Sequence, residues 1–89
     1  MTTKTWTVQV TLDEDGDDTR ANAVLDIENK TELRGRGMSR RNPHDESEPR
    51  IGDELATARA LSDLAHQLLA AAATDIESKT HVPARSLQL

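Results

Sequence analysis

Residues 31–40 read Thr-Glu-Leu-Arg-Gly-Arg-Gly-Met-Ser-Arg. Alternation places Leu33, Gly35 and Gly37 on one face of an extended chain, and Arg34, Arg36, Met38 and Arg40 on the other. Period two and the absence of proline predict a strand, although two glycines at alternate positions weaken it. A helix lying close across those glycines would account for that weakness. The segment therefore points to a sheet with a helix against one face and arginines on the other.

Toward the N-terminus, residues 19–28 predict a second strand, joined to the third through a turn at Asn29-Lys30. Ala21, Ala23, Leu25 and Ile27 share one side; Arg20, Asn22, Val24, Asp26 and Glu28 share the other. Residues 13–18, Asp-Glu-Asp-Gly-Asp-Asp, read as an acidic hairpin turn in which Gly16 supplies a positive φ. In residues 5–12, Trp6, Val8, Val10 and Leu12 alternate with Thr5, Thr7, Gln9 and Thr11, which predicts a half-buried first strand.

Toward the C-terminus, residues 41–50 hold two prolines and no large apolar residue, and read as a loop. Gly52-Asp53-Glu54 opens a helix expected over about residues 53–73, with acids at its positive end. Leu55, Ala58, Leu61, Ala65, Leu68 and Ala72, widened by Leu64 and Leu69, form its apolar stripe. Thr74-Asp75-Ile76-Glu77 has a capping-box pattern and predicts a bend or a short second helix. Val82-Pro83 would end it, leaving Leu87 and Leu89 in an irregular tail. The expected class is α+β: one domain over residues 1–89, a three-stranded antiparallel meander, then a long helix and a short C-terminal helix. The helix is expected to cover the face bearing Trp6, Val8, Val10, Leu25, Ile27 and Leu33.

Composition narrows the function. The chain has 89 residues, one Trp, no Phe or Tyr, and no Cys, so its core is small and neither a disulfide nor a thiolate metal site can form. The longest apolar run, Leu68–Ala73, is too short to span a bilayer. The N-terminus has no apolar signal-peptide region, which points to the cytoplasm. No recognisable nucleophile–base pair, glycine-rich phosphate loop or paired-histidine motif is present, so an enzyme, a cofactor or a small-molecule substrate is not expected. Asp13, Asp15 and Asp17 alternate as calcium ligands do, but Gly16 and the lack of a closing Glu break the EF-hand pattern. His44, His66 and His81 are scattered and imply no metal.

The net charge is -5, yet Arg34, Arg36, Arg40 and Arg41 form a local cluster that Arg20 on the second strand can join. Such a face could contact successive phosphates, and without aromatics it could not stack bases. The alternative is a solvated outer face, partly neutralised by Asp26 and Glu28.

Four stretches together carry a resemblance: Trp-Thr-Val-Gln-Val at 6–10, Asn42-Pro43, Ile-Gly-Asp-Glu-Leu-Ala-Thr-Ala-Arg-Ala-Leu-Ser-Asp-Leu at 51–64, and Asp-Ile-Glu-Ser-Lys-Thr-His-Val-Pro-Ala-Arg at 75–85. They resemble a small bacterial family of unknown function with a double-stranded-RNA-binding-domain-like (dsRBD-like) fold. The resemblance implies a small dimeric protein linked to dormancy and stress, with a fold similar to ribosome hibernation-promoting factors. The leading expectation is a non-enzymatic stress protein binding the ribosome or structured RNA through Arg20, Arg34, Arg36, Arg40 and Arg41. The second is a dimeric protein-interaction module with no nucleic-acid contact. A homodimer is also expected from the residues themselves, because residues 5–12 carry no charge, Pro or Gly and would form an exposed sheet edge.

Overall fold

The computed structural model describes residues 1–27, 31–44 and 48–81. Three strands, β1 (Val8–Asp15), β2 (Asp18–Ile27) and β3 (Thr31–Arg40), form an antiparallel sheet in the order β1-β2-β3, and one helix follows, α1 (Pro49–Thr80). The meander and the long helix are as the alternation and the helical periodicity predict. The β1–β2 hairpin turns through Gly16 at φ 63°. The predicted turn at Asn29-Lys30 and the tail after His81 lie outside the described residues.

Register explains the two faces. Val8, Val10 and Leu12 pair with Leu25, Ala23 and Ala21, which in turn pair with Leu33, Gly35 and Gly37, so these residues share the inner face. Ala21, Ala23, Leu25, Ala56, Ala60 and Leu64 are the buried core, with Val10, Ile27, Leu33 and Leu68 packed around it. The helix rests directly on the two glycines of β3. A Cβ on Gly35 would collide with the Ala60 carbonyl and the Leu64 amide, and one on Gly37 with the Ala56 carbonyl and the Ala60 amide. Backbone-to-backbone approach of this kind requires glycine on the strand and small residues on the helix.

That contact corrects the expected helix stripe. Ala56, Ala60 and Leu64 face the sheet, whereas Leu55 and Leu61 are exposed on other sides of α1. Alanines at 56 and 60 let the helix backbone approach Gly35 and Gly37, and Leu64 closes the same face beside Gly35. The same placement corrects the expectation for Trp6. It lies before β1 begins and is 51% exposed, because α1 lies over β3 and β2 and scarcely touches β1.

The helix also exceeds its expected bounds at both ends. It starts at Pro49, a residue suited to the first helical position because it has no N–H to satisfy, so Asp53 and Glu54 fall beyond the first turn. Residues 74–80 continue the same helix in place of the expected short second one. No Gly or Pro interrupts Ala70–Thr80, and the Thr80 hydroxyl donates back to the Ile76 carbonyl at 2.9 Å. The end comes at His81 in the left-handed conformation, its N–H donating to the Glu77 carbonyl at 2.8 Å. At about 1.5 Å per residue, 32 residues make a helix of about 48 Å, close to the 53 Å length of the molecule.

Candidate functional site

The outer face of the sheet holds four of the five arginines singled out from the sequence. Arg20 pairs with Met38, Asn22 with Arg36, Val24 with Arg34 and Asp18 with Arg40. Alternation sends all of these side chains away from the helix. Arg41 lies past the end of β3 instead. Its N–H donates to the Asp17 carbonyl at 2.8 Å and its guanidinium to the Asp17 carboxylate at 2.6 Å, tying β3 to the β1–β2 hairpin.

Carboxylates share this face. Arg40 forks onto Asp18 at 2.7 and 3.2 Å, and Arg34 reaches Glu32 at 2.7 Å. The Arg40 hydrogen bond holds the Asp18 carboxyl below its ordinary pKa. Desolvation works against the shift, and the charges of Arg40 and Arg20 add to it. By register, Asp13 and Asp15 of β1 and Asp26 of β2 also project outward, with Asp13 directly beside Arg20. The local surface is a mixed lattice of charges. Arg20 and Arg36, diagonal neighbours on adjacent strands, are the two guanidiniums of this face that make no ion pair among the described residues.

Two further features had little or no signal in the sequence. A cavity of about 220 Å³ lies between the hairpin tip, the end of β3 and the first turn of α1, lined among others by Thr19, Ser39, Arg41, Glu48 and Gly52. Thr19 and Ser39 are buried polar residues beside it, and the Ser39 hydroxyl donates to the Gly52 carbonyl at 2.8 Å, pinning the helix start to β3. Gly52 packs closely there: a Cβ would come within 2.9 Å of the Thr19 hydroxyl oxygen, which would have to shift. The second feature is the treatment of β3's outer edge. Asp63 Oδ2 accepts the Arg36 N–H at 2.8 Å, and Arg59 Nη1 donates to the Met38 carbonyl at 2.7 Å. The i,i+4 spacing of Arg59 and Asp63 on one helix flank was the available sign.

The β1 side is left open. Val8 and Leu12 point inward yet are about 40% exposed, and Leu61 on α1 is 42% exposed. With 3.6 residues per turn, Leu61 and Leu68 fall on the flank opposite Arg59 and Asp63, hence toward β1. A shallow, apolar depression along the helix, lined by Asp53, Glu54, Thr57, Ala58 and Leu61, borders this area, and Asp53 Oδ1 is buried with no hydrogen-bond partner. Among the described residues, no group of acids and histidines is placed to hold a metal ion, and no helix is long and apolar enough to cross a membrane.

A three-stranded meander capped by one long helix, closed on the β3 side and open on the β1 side, is the class of domain this geometry defines. The chain belongs to the Rv2632c-like family, whose model matches residues 4–85. It is 51% identical over 82 residues to the uncharacterized protein Mb1767 of Mycobacterium bovis, covering 92% of this chain and 86% of that one. It is 46% identical over 84 residues to the uncharacterized protein Rv2632c of Mycobacterium tuberculosis, covering 94% and 89%. The crystal structure of Rv2632c superposes with a TM-score of 0.84 at 46% identity, covering 93% of this chain and 98% of that one.

Proposed function

We propose that this chain is a non-enzymatic, cytoplasmic interaction module that works as a homodimer, the second copy covering the β1 side. One observation carries the reading: α1 covers β2 and β3 but leaves the inner face of β1 open on either side of Val10, with Val8, Leu12 and Leu61 about 40% exposed. A core this small gains from burying such a surface, and an uncharged edge over residues 5–12 invites strand pairing. A second copy supplies both an edge and an apolar face of the same kind. Light scattering tests it. A dimer mass supports the reading, and a monomer mass at high micromolar concentration removes it.

A second reading keeps the arginine face as a contact for ribosomal or other structured RNA. The resemblance to dsRBD-like proteins and to ribosome hibernation-promoting factors, with its link to dormancy, supports it. So does the adjacency of Arg20 and Arg36 outside any ion pair on the described surface. The five outward carboxylates Asp13, Asp15, Asp18, Asp26 and Glu32 weigh against it, which is why it stands second. Phosphate-driven binding would weaken steeply with salt. Cosedimentation with ribosomes at low salt, lost on Arg20→Glu/Arg36→Glu, would reverse the order of the two readings.

A further inference from the structure

We propose that Arg59 and Asp63 act as edge guards, so that self-association through the sheet stops at two copies. The inference deepens the dimer reading above and rests on it for the word "two". The guarding itself stands on its own geometry.

A three-stranded sheet has two edges, and every copy carries both. If β1 and β3 were equally open, copies could pair β1 to β1 and β3 to β3 in alternation, and the ribbon would grow without limit. The structure treats the two edges differently. Mid-way along β3, the Arg36 N–H and the Met38 carbonyl, which an incoming strand would need, are taken by Asp63 at 2.8 Å and Arg59 at 2.7 Å. Both side chains come from the helix, whose seat on Gly35 and Gly37 brings it close enough to reach past the strand.

No such guard stands at β1. Among the described residues, no side chain bonds its outer edge, and residues 8–12 are uncharged. Because Arg36 turns its amide outward, Gly35 and Gly37 bond to β2. Strand alternation then turns Asn22 and its partner Thr11 toward each other, leaving the Val10 amide on the open edge. A β1–β1 contact through this edge is self-complementary and closes on itself. The occupant of the open edge is thus a second copy, and the guards on β3 explain why a third does not follow.

Sedimentation of the full chain across a wide concentration range tests this, with far-UV circular dichroism confirming fold. The parent should stay at dimer mass. Arg59→Ala/Asp63→Ala should at least double its mean mass and keep growing with concentration, whereas Asp63→Asn, which retains an acceptor for the Arg36 N–H, should stay dimeric. A folded double variant with the parent's mass would overturn the inference and leave the dimer reading intact. A monomeric parent whose double variant dimerises would sustain the guards and remove the dimer reading. If the double variant does not fold, hydrogen exchange on the parent decides. The Arg36 amide should be protected beyond those of Arg34 and Met38 on the same edge, and equal exchange at all three would refute the guard.

Discussion

Along β3, the helix backbone rests on Gly35 and Gly37, and two of its charged side chains bond the outward Arg36 amide and Met38 carbonyl; along β1, the same helix makes scarcely any contact, and inward-facing Val8 and Leu12 stay about 40% exposed. The sheet is therefore finished on one side and unfinished on the other. The cause is local. Glycines draw the helix to β3, and a helix about 10 Å across cannot also cover the third strand, which lies two spacings of about 4.8 Å away. Small residues at a contact decide where a helix sits, and what it cannot reach becomes the surface available to a partner.

The largest effect should come from breaking the β3 contact itself. Gly37→Val places a branched side chain where the Ala56 carbonyl and Ala60 amide already stand, and neither backbone group can give way cheaply. Overpacking against backbone should cost about 3 kcal/mol or more. Thermal unfolding checks this; a variant that melts with the parent would show that the helix does not sit on the glycines. Gly35→Ala should act in the same direction, against Ala60 and Leu64.

Next in size is a pair of leucines one turn apart. Leu64 is 3% exposed on the sheet face, and Leu64→Ala should cost about 2–5 kcal/mol. Leu61 is 42% exposed on the β1 flank, so Leu61→Ala should cost well under that within one copy and act instead on dimer mass. Equal melting shifts that also leave the mass unchanged would erase the distinction between the finished and unfinished sides.

These leucines also show what the sequence made legible. The strands were readable because period-two alternation in residues 5–12, 19–28 and 31–40 has few competing explanations, although β1 runs Val8–Asp15 and so takes in acids that read as turn, and the same alternation assigned Arg34, Arg36 and Arg40 correctly to one face. The helix was readable as an element but not in rotation. Leu55 and Leu61 stand out in any hydrophobic count yet are exposed, while the face that packs is built on Ala56 and Ala60, whose value is small size and not apolar area. Glycines at 35 and 37 were the clue that small residues, Ala56 and Ala60, would sit where the backbones approach. The arginine cluster was legible as a location only. Its carboxylate partners, Glu32, Asp18 and Asp17, become neighbours through pairing register and turn closure that charge spacing does not reveal. Edge capping by Arg59 and Asp63 likewise depends on helix placement, which follows from the glycines only once the packing is known.

On the unfinished side, Val10→Pro should change assembly with little change in fold. Proline is tolerated on an edge strand where its missing N–H would have faced outward, as at Val10, so the β1–β2 ladder is kept. The expected outcome is a near-parent circular dichroism spectrum with a shift from dimer toward monomer in sedimentation. Retention of the parent's dimer mass would move the association away from the strand edge and onto the apolar face formed by Val8, Leu12 and Leu61.

The smallest expected effect belongs to the hairpin end of the outer face, where Asp18 holds Arg40. The folded state depresses the Asp18 pKa, chiefly through the hydrogen bond from Arg40. A depressed carboxyl pKa means that the unfolded chain binds the proton more readily, so the pair contributes stability above the ordinary carboxylate range, near pH 4, and loses it as pH falls through the folded value. The pair is solvent-facing, so its contribution is screened and should fade further with salt. Asp18→Asn should therefore lower the melting temperature slightly at neutral pH and not at all well below pH 4, where the parent's own carboxyl is protonated. The two acid-limb curves should converge as pH drops. If they stay parallel, the folded state does not depress Asp18 and the Arg40 fork is not formed in solution. Arg40 would then be free to turn outward, and the arginine face would regain one of the charges that the RNA reading needs.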